Sequence, residues 1–161
     1  MAYVKGAFTY VSGPLFIREF NLNSAATVKQ GMPVRLNGAG DLIESQGTDS
    51  VLAGFILHDA VNSIPPGKAL VAVPADGRTV FVATGNTSVT ASTASSGLTL
   101  GQVKSGNSWF LIKSGSTVSA MYVVVPREDG STLDSTDSSV FVQVIGNIAT
   151  PFALQLINPI P

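Results

Sequence analysis

The sequence predicts an all-β protein, and three observations carry that reading. Apolar runs of about four to seven residues recur, and each is closed by Gly, Pro, Asn or Asp. No segment keeps a 3.6-residue apolar period for three turns. β-branched residues crowd several runs, as in Val123-Val124-Val125, where a pleated surface costs them less rotamer freedom than a helix. The expected form is a compact β-barrel, tulip-like or sandwich domain with extended terminal arms.

The strands are expected at 8–11, 33–36, 41–45, 51–57, 69–73, 79–83, 109–113, 121–125, 140–145 and 152–157. Segment 51–57 also fits the start of a short helix near Ala60. Asn37-Gly38-Ala39-Gly40 lies between two runs, and Asn-Gly accepts the positive φ of a tight hairpin. Ser105-Gly106-Asn107-Ser108 reads as a second hairpin. Pro65-Pro66-Gly67 cannot continue a ladder, because proline has no amide donor.

A weak internal repeat is visible. Gly31, Val34, Gly38 and Leu42-Ile43-Glu44-Ser45 are echoed by Gly101, Val103, Gly106 and Leu111-Ile112-Lys113-Ser114. Val73-Pro74 resembles Val125-Pro126, and Val80-Phe81-Val82 resembles Val140-Phe141-Val142. Such a repeat would place two hairpin units face to face around one core, within a single domain spanning 1–161. The uncharged Ser/Thr-rich segment 84–97 reads as an exposed loop, and 158–161 as an extended, proline-held tail. Segment 1–20 is either an N-terminal arm or a first strand. It carries Tyr3, Phe8, Tyr10, Leu15, Phe16 and Ile17, which are the candidate subunit or partner contacts.

Composition narrows the function. Charged residues are only 12% of the 161, and 18 Ser and 13 Thr take their place. The formal net charge of −1 gives no basic field for nucleic acid. Zero Cys removes disulfides and thiolate metal sites together, and fits assembly in a reducing cytoplasm. The first residues lack the pattern of a secretory signal, and no apolar run reaches the length of a membrane span. Few charges with a mean hydropathy of +0.35 point to apolar surface buried between subunits.

The search for chemistry is mostly negative. His58 is the single histidine, and Asp59 beside it would point to the opposite face of a strand. No Gly-x-Ser-x-Gly elbow accompanies the many serines. The ten acids are scattered, mostly beside Gly or Ser in turns, where they cap amides. Neither a phosphate loop nor a dense acidic calcium loop is present. Trp109-Phe110 with Lys113 is the one pattern that would stack a sugar or a base. No catalytic, cofactor-binding or metal-ligating residues are expected.

The order Thr27-Val28-Lys29-Gln30-Gly31-Met32-Pro33-Val34-Arg35-Leu36, then Gly38 and Gly40, then Leu42-Ile43, then Val51 and Gly54-Phe55-Ile56, resembles the capsid decoration, or cement, proteins of tailed bacteriophages. The likeness covers about 27–83 and rests on a Val-x-x-Gly-x-x-Val strand, a glycine hairpin and a Gly-hydrophobic strand. It implies a non-enzymatic structural protein on the outer capsid surface of the virion, made in the host cytoplasm. It also implies a homotrimer that holds the major capsid protein and needs no cofactor, nucleic acid or membrane. The competing expectation is a carbohydrate-binding tail-fibre, spike or adhesin module.

Overall fold

The computed structural model describes residues 5–23, 27–49, 51–58, 67–74, 78–89, 94–126, 138–145 and 147–148. The described residues contain strands and turns and no helix. Among the described residues thirteen strands form: β1 (Thr9–Ser12), β2 (Leu15–Asn21), β3 (Pro33–Leu36), β4 (Leu42–Glu44), β5 (Val51–Leu52), β6 (Gly54–Ile56), β7 (Lys68–Pro74), β8 (Val80–Thr84), β9 (Thr99–Ser105), β10 (Ser108–Lys113), β11 (Tyr122–Val124), β12 (Ser139–Val144) and β13 (Asn147–Ile148). They make a six-stranded antiparallel sheet, β1-β8-β12-β11-β9-β10, and a five-stranded one, β2-β7-β6-β3-β4. A short parallel pair, β13-β5, forms a separate two-stranded sheet. Of the expected forms, the sandwich is the one observed, and the sheets do not close into a barrel.

One ribbon changes sheets. β1 pairs with β8 in the larger sheet, and β2 pairs with β7 in the smaller one. The chain turns the corner at Gly13-Pro14 on one side and between β7 and β8 on the other. The Thr79 hydroxyl donates to the Pro14 carbonyl there. The Tyr10 hydroxyl donates to the Gly13 carbonyl at 2.8 Å. Segment 1–20 therefore supplies edge strands to both sheets over its described part.

The repeat is real in three dimensions, with a different register from the one read in the sequence. In each half a lead strand (β2, β8) is followed by a hairpin (β3-β4, β9-β10) and two more strands (β6-β7, β11-β12). Each half has the same neighbours, lead-fourth-third-first-second. Loop bonds match position by position. Gly31 donates to Ile56 O at 2.8 Å, and Gly97 donates to Val124 O at 2.9 Å. Asn23 donates to Leu42 O at 3.1 Å, and Asn86 donates to Leu111 O at 2.9 Å. Parallel bridges Leu22–Leu42 and Gly85–Leu111 close each half at the same place.

Leu42 and Leu111 are thus equivalent, as the sequence pattern proposed. Gly31 matches Gly97 and not Gly101, because the second hairpin is longer. Val80–Val82 is not equivalent to Val140–Val142: β8 and β12 are adjacent strands, Phe141 lying opposite Val82. Likewise β7 corresponds to β12, so Val73-Pro74 does not match Val125-Pro126.

The core lies between the two halves and draws on both. Val34, Leu42, Val71 and Val73 meet Leu100, Leu111, Val142 and Val144, all nearly or fully buried. Phe8 joins them, its ring stacked on Phe55 at 4.7 Å and tilted against Tyr122 at 5.1 Å. Aromatic contacts of this kind add roughly 0.5–1.5 kcal/mol to the burial of their area.

Several expectations need correction. Segment 51–57 breaks into β5 and β6 at Ala53, where Ala53 N donates to Val34 O at 2.7 Å. Three strands were not expected as such, β2, β9 and β13. The first hairpin takes its positive φ at Gly40, 87°, and not at Gly38. The Val-x-x-Gly-x-x-Val stretch is a turn leading into β3: Met32 N donates to Lys29 O at 3.0 Å, and Val28 and Val34 are both buried. Segment 84–97 is not simply exposed, since Thr84 ends β8 and Val89 is fully buried. Ala60, Pro65-Pro66, the expected strand 152–157 and the tail 158–161 lie outside the described residues.

Candidate functional site

The most polar junction lies where the two sheets approach along β4, β9 and β10. Glu44 ends β4, and its carboxylate accepts from Lys104 Nζ at 3.0 Å and from Trp109 Nε1 at 3.3 Å. The Lys104 ammonium also sits 5.6 Å from the centre of the Trp109 ring. Hairpin register explains the cluster: Trp109 pairs with Lys104 across β9-β10, so both side chains leave the same face. Two open clefts of about 390 and 410 Å³ flank this trio. One is lined by 45–48, Gln102 and Thr117-Val118. The other is lined by Asn23, Thr27 and Arg35.

Beneath the trio runs a buried polar chain. Tyr122 Oη donates to Gln102 Oε1 at 2.5 Å, and Gln102 Nε2 donates to Ser45 Oγ at 2.8 Å. Burial pushes the Tyr122 phenol far above its ordinary range, so the ring stays neutral. On the rim, Asp49 accepts from Arg35 Nε at 2.8 Å and from the Gln46 amide at 2.6 Å. Each of these carboxylates is taken up by a cation and an N–H donor. None is placed as a free acid or base.

The sequence candidates fall in different places. Trp109 is only 3% exposed, so its face is not a platform for a sugar or base. Lys104, not Lys113, is the lysine beside it. His58 Nε2 accepts from the Leu70 amide at 3.4 Å, a weak structural bond, and Asp59 lies outside the described residues. Among the described residues no three His, Asp or Glu side chains gather as a metal site. No described helix is long and apolar enough to cross a membrane.

The six contact candidates separate by the strand they occupy. Phe8 is 4% exposed in the chain's own core and is not available to a partner. Leu15 and Phe16 are half-buried against that core. Tyr10, on β1, and Ile17, on β2, are 40% and 53% exposed. Tyr3 lies outside the described residues. Among the described residues the structure offers a partner the Glu44 clefts, the β1–β2 strands and a cleft of about 550 Å³ lined by Lys5, Tyr10, Lys29 and Ser108 among others. No family model, curated protein or solved structure matches this chain. Sequence reasoning missed Lys104 and Gln102 because each meets a partner some 60 residues away, with no local motif to mark the pair.

Proposed function

We propose that the protein is a non-enzymatic structural subunit that binds the outer surface of a tailed-phage head between capsomers and stabilises the shell. It acts as a homotrimer on the major capsid protein. The observation that carries this reading is strand β2, seven residues long, which ends its sheet among the described residues with Ile17 exposed. An edge of this kind binds another chain by backbone pairing, a mode suited to a partner surface and not to a small substrate. The residue order over 27–83 resembles the cement family and supports the same reading. Many such contacts on one particle reinforce each other through effective concentration.

The carbohydrate-binding reading loses its main support, because the Trp109 ring is buried. The test uses purified phage heads that lack the protein. Adding it is expected to give saturable density on the outer shell by cryo-electron microscopy and a higher temperature of DNA release. Heads that stay bare at micromolar protein, or binding confined to the tail, would refute the proposal.

A further inference from the structure

The cleft of about 550 Å³ opens where three segments meet. Lys5 precedes β1 and Tyr10 lies on it. Lys29 lies in the turn before β3, and Leu57 follows β6. Asn107 stands at the tip of the β9-β10 hairpin. Backbone bonds tie the three segments together. Phe8 N donates to Gly31 O at 3.0 Å, Gly31 N to Ile56 O at 2.8 Å, and Trp109 N to Gly6 O at 2.9 Å. Glycine permits the close approach: a Cβ on Gly6 would lie 2.5 Å from Ser108 Cβ. The cleft is therefore shaped by the fold itself, and a ligand does not have to order it.

Its charge is one-sided. Lys5 and Lys29 line it, both exposed, and no Asp or Glu does. The two clefts beside Trp109 each hold Glu44, which Lys104 neutralises. Lys68 is paired with Glu19, whereas among the described residues Lys5 and Lys29 have no ion pair. The donors deeper in the cleft are already spent within the chain. The Gly6 amide donates to Thr84 Oγ1, the Phe8 and Trp109 amides to backbone carbonyls, and the Trp109 indole to Glu44. A small-molecule site aims convergent polar groups inward. Here the charge sits on an exposed rim around partly apolar walls, which is the pattern of a protein contact. Nucleic acid needs more clustered cations than two lysines supply. We propose that this cleft binds an extended acidic segment of a partner protein. Its carboxylates meet Lys5 and Lys29, and an apolar side chain of the segment lies against Tyr10 and Leu57. The site is separate from β2 and stands apart from the capsid reading.

The probe is a fluorescein-labelled, end-capped hexapeptide alternating Glu and Leu, titrated with the full chain and read by fluorescence anisotropy. Saturable binding is expected. It should weaken as salt shortens the screening length from about 30 Å at 0.01 M to about 8 Å at 0.15 M. Lys5→Glu combined with Lys29→Glu should weaken it about tenfold, a change of about 1.4 kcal/mol. Both side chains are exposed, so the variant should keep the wild-type β spectrum. The milder Lys5→Gln and Lys29→Gln, made singly, should each weaken binding about threefold. Lys113, exposed on β10 and outside the cleft, is the control, and Lys113→Glu should leave the affinity unchanged. A peptide alternating Glu and Ser, or Gln and Leu, should bind less well than the probe, since each lacks one half of the recognition. No binding of the Glu-Leu peptide overturns the proposal. So does a loss with Lys113→Glu equal to that of the double variant, or equal binding of the Gln-Leu peptide. Displacement of the probe by a heparin hexasaccharide at lower concentration than by unlabelled peptide would assign the cleft to a sulfated glycan and overturn it as well. None of these outcomes involves phage heads, so they are read separately from the capsid reading.

Discussion

The Tyr122 hydroxyl and Gln102 Oε1 lie 2.5 Å apart between the two sheets, and both side chains are essentially closed to solvent. Gln102 spends its amide on Ser45, so the three residues form one satisfied chain. Tyr122→Phe removes the donor and leaves the Gln102 oxygen buried without it. An unsatisfied buried polar group costs about 1–3 kcal/mol, and urea unfolding should read a loss of that size. The pH dependence has a definite sign. Burial raises the Tyr122 pKa above that of the unfolded chain, about 10. As pH rises past about 10 the unfolded state releases its proton first. Stability from this group is therefore complete below that pH and falls above it, by at most about 1.4 kcal/mol per pH unit. Tyr122→Phe should have a visibly flatter stability curve between pH 10 and 11 than the wild-type chain.

Gly31 and Gly97 give a second comparison, because they are equivalent and differ only in surroundings. Both have positive φ, 79° and 89°. A Cβ on Gly31 would lie 2.6 Å from Ala7 Cβ and 2.8 Å from Phe8 O, whereas Gly97 has open space. Gly97→Ala should therefore cost only the backbone strain, about 1 kcal/mol. Gly31→Ala adds a collision with backbone that cannot rotate away. It should lose about 1–3 kcal/mol more, the usual cost of overpacking. Equal losses in thermal unfolding would contradict this account.

The fold class was legible because its signals are local. Turn residues and short β-branched runs located most of the described strands to within two residues. β2 was hidden because Leu15-Phe16-Ile17-Arg18-Glu19-Phe20 mixes both faces. Phe16 and Phe20 pack on the core while Ile17 is exposed, so polarity does not alternate cleanly. β9 was hidden because its buried residues include Gly101 and Gln102, the latter a polar side chain satisfied inside by its bonds to Tyr122 and Ser45. The repeat was visible at Leu42 and Leu111, where core packing preserves the residue type. Elsewhere it was misregistered, because equivalent core positions differ in kind: Val34 matches Leu100, and Gly54 matches Tyr122. The Glu44–Lys104–Trp109 junction was not legible, since sheet-to-sheet contacts follow from topology and not from neighbours in the chain.

Trp109 is the single tryptophan and is buried against Glu44, so its emission reports the sandwich directly. The folded chain should emit at short wavelength and resist acrylamide quenching. Both properties should disappear in one step with global unfolding. Glu44→Gln keeps an acceptor for the indole and gives up the ion pair with Lys104, which is 43% exposed. Exposed pairs contribute about 0–1 kcal/mol, so the midpoint should move little. Addition of mono- or oligosaccharides should leave the emission unchanged; a saturable shift would restore the carbohydrate reading.

The N-terminal segment gives the last expectation. Deleting residues 1–12 removes β1, whose loss uncovers the edge of β8. It also removes Gly6, whose amide donates to Thr84 Oγ1 at 2.9 Å and whose carbonyl accepts from the Trp109 amide at 2.9 Å. The largest loss is Phe8, wedged between Phe55 and Tyr122 where the two halves meet. Truncating a buried Phe to Ala alone costs about 3–5 kcal/mol, a large share of the 5–15 kcal/mol that holds a typical domain. The deletion should therefore prevent folding. Ile17→Ala removes an exposed side chain, so it should leave the unfolding midpoint nearly unchanged. If the deletion instead left a cooperative, fully β protein, β1 would be a detachable arm. Phe8 would then not hold the two halves together.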